Sequence, residues 1–324
     1  MKLALRWHVL LIAALVSTSV VGTSEAFAAD SPAPSTQTSE LAQRPGHAGI
    51  ASANALATEA GFEVLAKGGN AFDAAIAVAS TLSVVEPESS GIGGGFMATM
   101  HVASTGRNVF VDARETAPAA VDAKDYLNPD GTPNRDTSLK GPLSSGIPGE
   151  PAGLVWLAKH YGKLPLSASL APAIRTARDG FKPDVRLLGA IKEEQQNLQR
   201  WPASAAVYLP NDKVPADGEI WRNPDQAHTL ELLAQFGDSG FYSGETARKL
   251  VDAVHAAGGR WTLKDLSSYR VKERTPITVD YRGYKIITAP PPSSGGVAIA
   301  EILNILSGFD LSQLDQVHRT HLVI

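Results

Sequence analysis

The segment VDARETAP, residues 111–118, predicts the end of a strand that continues into extended chain and carries one arginine, Arg114. Upstream, residues 89–95 (SSGIGGG) predict a glycine-rich turn, and residues 96–102 and 108–112 predict two antiparallel strands of one hairpin. Such a hairpin brings Arg114 to the edge of a sheet. We therefore expect the glycine-rich turn and Arg114 to form one site.

Three motifs occur in order along the chain: EPESSGIGGG at residues 86–95, RETAP at 114–118 and PPPSSGG at 290–296. Together they resemble the large-subunit region of the γ-glutamyltransferases, also called glutathione hydrolases. Shorter matching segments lie between them. The resemblance extends from Gly46 to the last residue of the chain.

The resemblance implies an α/β fold, the αββα sandwich of the N-terminal nucleophile hydrolases, present here as its large-subunit part only. It also implies a precursor that cuts itself before a threonine, whose hydroxyl becomes the nucleophile and whose amine serves as base. That threonine opens the small subunit, so we expect it beyond Ile324 and expect no catalytic residue in this chain. Thr320 precedes His321, but the rest of the threonine motif is absent, so Thr320 is not assigned as the nucleophile.

Arg114 is the one substrate-binding residue that the sequence predicts. A guanidinium group is planar, always charged and able to donate two parallel hydrogen bonds, which suits a carboxylate. In the resembled family the matching arginine binds the α-carboxylate of the γ-glutamyl group. The alternative interpretation is a structural ion pair with Asp112 or Glu115.

The function implied is γ-glutamyl transfer or hydrolysis of glutathione and γ-glutamyl amides through a γ-glutamyl-enzyme ester. The implied partner is a small subunit from the same precursor, and this chain alone is expected to hold half of the site and to be inactive. One alternative is a cephalosporin or glutaryl acylase of the same family. Another is a non-catalytic periplasmic remnant or binding protein, since the nucleophile is missing.

Composition narrows the possible functions. The chain has 324 residues, a formal net charge of −4 and no run of Lys or Arg, so nothing indicates a nucleic-acid surface. It contains no cysteine, which excludes disulfides, thiolate nucleophiles, iron–sulfur clusters and cysteine-ligated zinc. We expect no cofactor and no metal.

The start of the chain predicts export. Residues 1–28 have Lys2 and Arg6 before an apolar run, and Ala26-Phe27-Ala28 supplies small residues for a signal peptidase. The run is shorter than the roughly 20 residues of a membrane span, so a cleaved signal is favoured over an anchor. Residues 29–45 predict a flexible tether and 46–324 the family region. The mature protein is expected to be periplasmic or extracellular, without a stable membrane span.

Capping residues predict the first helices. Asn54 and Asn70 are expected to cap two helices, the second apolar on every face over residues 71–84 and therefore buried. A strand is predicted at 49–53 before them. Further elements are predicted by periodicity, listed here with their residues: helices 170–179 with Ser169 as cap, 185–199, 229–236, 244–257 and 295–306, and strands 275–281 and 284–288.

Other candidate sites are weaker. The glycines of residues 91–95 precede a strand, whereas phosphate-binding loops precede a helix. Ser294 is predicted to cap a helix and not to act as a nucleophile. His318 and His321 share a helical face but lack an accompanying glutamate, which argues against zinc. The helix predicted over 314–324 has no capping signal, so the sequence is expected to stop within a helix.

Overall fold

The computed structural model describes residues 48–318. In chain order, the helices of this region are α1 Ala55–Ala66, α2 Ala71–Val85, α3 Arg135–Leu139, α4 Glu150–Tyr161, α5 Leu166–Asp179, α6 Val185–Glu193, α7 Gln195–Gln199, α8 Pro202–Tyr208, α9 Pro224–Phe236, α10 Asp238–Tyr242, α11 Gly244–Ala256, α12 Leu263–Ser268 and α13 Gly295–Leu306. The strands are β1 Phe96–Val102, β2 Arg107–Ala113, β3 Lys272–Arg274, β4 Ile277–Tyr281 and β5 Tyr284–Thr288.

The first two helices begin where the sequence predicts. The Asn54 side chain accepts a hydrogen bond from the backbone of α1, and Asn70 forms a capping box with Asp73 at the start of α2. Asp73 is fully buried and also accepts hydrogen bonds from the backbone N–H groups of Lys163 and Leu164 at 2.9 and 3.2 Å. The carboxylate that caps α2 therefore also attaches it to the loop after α4.

The predicted hairpin is present with one added strand. Strands β1 and β2 pair antiparallel, with Phe96 opposite Ala113 and Val102 opposite Arg107. Strand β3, which the sequence did not predict, pairs antiparallel with β2 to give the order β1-β2-β3. Strands β4 and β5 form a separate two-stranded sheet. The prediction of a strand at residues 49–53 is wrong, because that segment has no sheet partner among the described residues.

The core lies around α2 and α5. Helix α2 packs against α1, α4 and α5, and α5 packs against α9. The largest fully buried side chains are Phe110, Ile76, Ile147, Leu154, Leu170, Leu187, Leu230, Leu233 and Leu266. Burying such side chains contributes roughly 1.5–3 kcal/mol each, so these contacts dominate the stability of the region.

Helix α2 is less enclosed than predicted. Nine of its fifteen residues are buried, but Ala75 is exposed and lines an open apolar groove with Val78 and Leu82. The prediction of burial on every face is therefore wrong for this side. The sequence alone did not reveal the exposed side because small apolar residues occupy both the buried and the exposed positions.

Three further local predictions are corrected. Helix α5 begins at Leu166, and Ser169 lies inside it, fully buried, with its hydroxyl 3.5 Å from Asp73. The helix predicted over residues 185–199 is divided into α6 and α7 at Glu194. Ser294 precedes α13 as predicted, but its side chain makes no capping hydrogen bond because its own backbone is already helical.

Within residues 48–318, no helix is both long enough and apolar enough to cross a membrane. The predicted signal peptide (1–28), the predicted tether (29–45) and the end of the helix predicted over 314–324 lie outside the described residues.

Candidate functional site

Arg114 follows β2 directly, where the chain leaves the three-stranded sheet. Its backbone N–H donates to Asp112 Oδ1 at 3.1 Å, and its carbonyl accepts a hydrogen bond from the Tyr269 hydroxyl at 2.8 Å. Two residues later, Thr116 and Ile147 exchange backbone hydrogen bonds of 3.2 and 2.8 Å. The backbone of Arg114 is thus fixed on both sides, as a residue that positions a ligand requires.

The Arg114 guanidinium forms one of the two ion pairs considered from the sequence. Its Nε donates to Glu115 Oε2 at 2.9 Å, and its side chain is 54% exposed. Asp112, the other candidate, is instead paired with Arg274, whose Nε and Nη2 both lie 2.8 Å from Asp112 Oδ2. Among the hydrogen bonds of residues 48–318, none involves an Nη group of Arg114. Its outer edge therefore remains able to donate to a carboxylate.

The glycine-rich turn packs closely against the backbone of Ala113 and Arg114. A Cβ on Gly95 would lie 2.3 Å from the Ala113 carbonyl oxygen and 2.9 Å from the Cα of Arg114. Only glycine permits this approach, since real Cβ contacts are not shorter than 3.0 Å. The turn leads into β1, as the sequence predicts.

The backbone at the start of helix α4 is hydrogen-bonded to the glycine-rich turn. The Gly94 carbonyl accepts two hydrogen bonds, from the backbone N–H groups of Gly149 at 2.8 Å and Glu150 at 3.0 Å. Gly149 also approaches β2 closely, because a Cβ there would lie 2.2 Å from the Ala113 carbonyl oxygen. The turn, the end of β2 and the start of α4 therefore form one rigid unit.

An open cavity of about 640 Å³ lies beside this unit. Its lining includes residues 91–95, Glu115, Pro148, Tyr208 and Trp261. Glu115 therefore belongs both to the cavity and to the ion pair with Arg114. The volume is within the range of small-molecule sites.

Glu150 is a charged group of this site that the sequence reasoning missed. It is the first residue of α4, is 5% exposed, and its Oε1 has no hydrogen-bond partner among the described residues. Burial, and secondarily the charge of Glu115, raise the pKa of its carboxyl to about 7, although the Gly91 N–H acts in the opposite direction. A glutamate in a first helical turn is ordinarily solvated, so the sequence carried no signal of this burial.

Two stacked tyrosines donate hydrogen bonds to the backbone of the same unit. The Tyr242 and Tyr269 rings lie 5.6 Å apart with an angle of 9° between their planes. The Tyr242 hydroxyl donates to the Pro148 carbonyl at 2.7 Å, as the Tyr269 hydroxyl does to that of Arg114. Burial raises the pKa of both phenols above the ordinary value, so both remain neutral donors.

The remaining sequence candidates are not brought to this site. The hydroxyl of Ser294 caps no helix, and His318 Nδ1 lies 2.9 Å from a carboxylate oxygen of Asp315. His321 lies outside the described residues. In the part of the chain that the structure describes, no group of three or more His, Asp or Glu side chains is arranged to hold a metal ion.

Comparison with known proteins identifies the family. A family model described as Gamma-glutamyltranspeptidase matches residues 57–324. The chain belongs to this family. The Glutathione hydrolase proenzyme of Pseudomonas sp. (strain A14) is 40% identical over 266 residues, which are 82% of this chain and 46% of that relative. The chain spans about half the length of the curated relatives it matches.

Solved structures agree with the γ-glutamyltranspeptidase assignment. The Helicobacter pylori gamma-glutamyltranspeptidase superposes with a TM-score of 0.83 at 36% identity, covering 86% of this chain and 81% of that chain. A cephalosporin acylase from Bacillus halodurans superposes with a TM-score of 0.73 at 31% identity, covering 86% and 55%. The predicted family and the α/β fold of the N-terminal nucleophile hydrolases are thereby confirmed.

Proposed function

We propose that this chain is the large-subunit part of an enzyme that transfers or hydrolyses the γ-glutamyl group of glutathione and γ-glutamyl amides. Arg114 binds the α-carboxylate of that group, and the glycine-rich turn shapes the space beside it. The observation that carries the proposal is the Arg114 side chain, which is aligned through Nε by Glu115 while its Nη groups remain unpaired among the described residues.

The rest of the reaction belongs to residues outside this chain. We infer that the precursor cuts itself before a threonine, whose hydroxyl then attacks the γ-carbonyl to form a γ-glutamyl-enzyme ester. The small subunit released by that cut completes the site as a heterodimer with this chain. The chain alone is accordingly inactive, and the mature protein acts in the periplasm or outside the cell.

Exposure makes a purely structural role for Arg114 a poor explanation. An ion pair whose arginine is 54% exposed contributes little to folding, commonly between zero and about 1 kcal/mol. A hydrogen-bonded charge pair with a bound carboxylate contributes about 1.5–3 kcal/mol. Substitution of Arg114 is therefore expected to weaken substrate binding far more than it destabilises the fold.

The test compares Arg114→Lys with Arg107→Lys in the complete processed enzyme, with a γ-glutamyl anilide as substrate. Arg107 is the matched control, because it lies at the other end of β2, is 61% exposed and also pairs with one glutamate, Glu273. Loss of paired donation at Arg114 should lower kcat/KM roughly 10- to 100-fold, while Arg107→Lys should change it less than about twofold. Equal effects of the two substitutions would contradict the proposal.

An acylase acting on a carboxylate-terminated acyl group is the second candidate. The similarity to the cephalosporin acylase of Bacillus halodurans favours it, and Arg114 would bind the terminal carboxylate of a glutaryl group equally well. The two substrates differ in the α-amino group, which only the γ-glutamyl group carries. Relative kcat/KM for a γ-glutamyl anilide and for glutaryl-aminocephalosporanic acid separates the two activities. Binding of glutamate by this chain without turnover in the complete protein would instead indicate a binding protein.

A further inference from the structure

Asp112 contacts two arginines through its two carboxyl oxygens. Its Oδ1 accepts a hydrogen bond from the backbone N–H of Arg114 at 3.1 Å. Its Oδ2 accepts from Arg274, whose Nε and Nη2 both lie 2.8 Å away. Asp112 is only 7% exposed, and a carboxylate so buried requires a paired cation. Arg274 supplies that cation, while Arg114 contributes its backbone N–H.

The register of β2 and β3 gives Arg274 this position. Asp112 lies opposite Lys272, and Phe110 lies opposite Arg274, so Arg274 is the diagonal neighbour of Asp112. Long side chains reach such a neighbour across a pair of strands. Lys272 is the nearer cation by register, yet the ion pairs of residues 48–318 include none between Lys272 and Asp112. Strand β3 thus directs one specific guanidinium to Asp112.

We propose that Arg274 is a positioning residue of the carboxylate-binding site: it occupies the second oxygen of Asp112 and so prevents this carboxylate from binding the guanidinium of Arg114. The inference rests on the proposed function of Arg114. It adds a residue of β3 that acts on the substrate only through Asp112 and Arg114.

Removal of Arg274 would leave the Asp112 carboxylate buried without its cation. The other residue bonded to this carboxylate is Arg114, whose Nη groups have no partner among the described residues. A carboxylate and a guanidinium form charge-assisted hydrogen bonds, so Asp112 would occupy the donors that a substrate carboxylate needs. The competition is for these donors, and it is the same whether or not the substrate also carries an α-ammonium group.

Such competition should appear in KM. A substrate binds only the fraction of molecules in which Arg114 is free, and its apparent affinity falls by that fraction. Because Arg114 is 54% exposed, its pair with Asp112 would be of moderate strength, and KM should rise roughly three- to tenfold. Saturating substrate displaces Asp112, so kcat should change less than about twofold.

The kinetic test measures KM and kcat for a γ-glutamyl anilide in the complete processed enzyme. The reference is Lys272→Gln, which removes the other cation that could replace Arg274 and should itself match wild type. Addition of Arg274→Met should raise KM as stated. Further addition of Asp112→Asn should restore the reference KM, because an amide oxygen still accepts from the Arg114 N–H but carries no charge to bind its guanidinium.

Two kinetic outcomes would overturn the inference. One is an unchanged KM when Arg274→Met is added to the reference. The other is a KM that stays raised after Asp112→Asn is added, since a merely structural effect on β3 would persist in that variant.

A second measurement does not depend on turnover. The same variants of the complete protein are treated with phenylglyoxal, a dicarbonyl that reacts with unpaired guanidinium groups, and modification is followed by mass spectrometry. The rate at Arg114 should fall roughly threefold or more with Arg274→Met and recover with Asp112→Asn. Arg107 is the control, because it is 61% exposed and also pairs across β2 and β3, with Glu273. An unchanged rate at Arg114, or the same change at Arg107, would overturn the inference.

Failure of this inference is distinguishable from failure of the proposed function. Turnover with an unchanged KM in the Arg274→Met variant would overturn the inference while leaving the γ-glutamyl activity intact. Absence of turnover in the wild-type enzyme would overturn the proposed function. In that case the modification rates still decide whether Arg274 keeps the Arg114 guanidinium free of Asp112.

Discussion

The Arg114 region and the region from β4 to α13 are built differently. Around Arg114, backbone hydrogen bonds, close glycine contacts and buried side chains join the glycine-rich turn, β2 and α4. Helix α13 packs against β4, yet its buried residues are Gly296 and Leu306. Four of its large apolar side chains are at least 38% exposed, namely Val297, Ile299, Ile302 and Ile305. The described chain completes its own packing at the first region but not at the second.

This difference has an energetic meaning. Substitutions in the Arg114 region change contacts that the chain already makes, so they should lower the free energy of unfolding of the isolated chain. Substitutions on the exposed side of α13 remove surface that is still in water, so their cost there should be small. The predictions below test the comparison by pairing a change in one region with a matched change in the other.

The largest effect is expected for Gly149→Ala. Its new Cβ would lie 2.2 Å from the Ala113 carbonyl oxygen and 2.3 Å from the Tyr269 hydroxyl, and the backbone carbonyl cannot move without displacing β2. Forced overpacking of this kind costs about 3 kcal/mol or more. Urea unfolding of the chain, followed by circular dichroism, measures the change.

Gly295→Ala is the control in the other region. The nearest atom to a Cβ at that position is Ser293 Oγ at 3.6 Å, an ordinary contact, and alanine favours a helix over glycine. We expect this variant to match or slightly exceed the wild-type free energy of unfolding. Similar losses in both variants would show that the close packing around Gly149 is not what stabilises the Arg114 region.

Glu150→Gln should stabilise the chain, but only at high pH. The pKa of Glu150 is raised from 4.5 to about 7, so between these values the folded chain binds more protons than the unfolded chain. Stability contributed by the neutral carboxyl is therefore lost as pH rises through that window and stays lost above it. The variant should exceed wild type by roughly 2–3 kcal/mol at pH 8 and by little near pH 4.5.

Thermal unfolding of both proteins across this pH range is the measurement. Glu301→Gln provides the control in the other region, because Glu301 lies exposed on α13 and removal of its charge leaves no buried group unsolvated. A gain for Glu150→Gln that is independent of pH would mean that the buried carboxyl stays in one protonation state across the window.

A smaller effect is expected for Tyr269→Phe. This substitution removes the 2.8 Å hydrogen bond to the Arg114 carbonyl, which a buried hydroxyl donates, and should cost about 1 kcal/mol of folding free energy. Tyr284→Phe is the matched control on β5, where the tyrosine is 74% exposed and its hydroxyl is available to water. Chemical denaturation should therefore give a lower midpoint for Tyr269→Phe than for Tyr284→Phe. Equal midpoints would contradict the stabilising role assigned to the Tyr269 hydrogen bond.

The parts of this structure that the sequence predicted are those controlled by neighbouring residues. Asn54 and Asn70 cap helices through backbone groups two or three residues away, and the hairpin before Arg114 follows from two strand-forming runs on either side of a short turn. Arg114 was predicted at a sheet edge, but β3 pairs with the other side of β2, so Arg114 follows the central strand instead. Its pairing with Glu115 rather than Asp112 depended on Arg274, which pairs with Asp112 from 162 residues further along the chain.

The features that the sequence did not predict arise from distant contacts. Glu150 resembles any acidic residue at the start of a helix, and its burial arises because the glycine-rich turn is attached to it. Ser169 has the composition of a capping residue, but α5 begins earlier and Ser169 packs against Asp73. In both cases a local rule was overridden by tertiary packing.

The smallest effect is expected for Ile305→Ala on α13. Ile305 is 58% exposed, so truncation removes few contacts, and the better helix propensity of alanine offsets part of the loss. The isolated chain should change by less than about 0.5 kcal/mol, whereas Leu306→Ala, at a position only 7% exposed on the same helix, should cost about 2 kcal/mol or more.

Repeating the Ile305→Ala measurement in the complete protein sharpens the comparison. If residues outside this chain cover the apolar side of α13, the same substitution should there cost roughly 1–3 kcal/mol, because the side chain is then removed from a packed interface. An equally small cost in both proteins would mean that this side of α13 stays in water throughout. In that case the difference between the two regions is a property of the whole molecule rather than of the described chain.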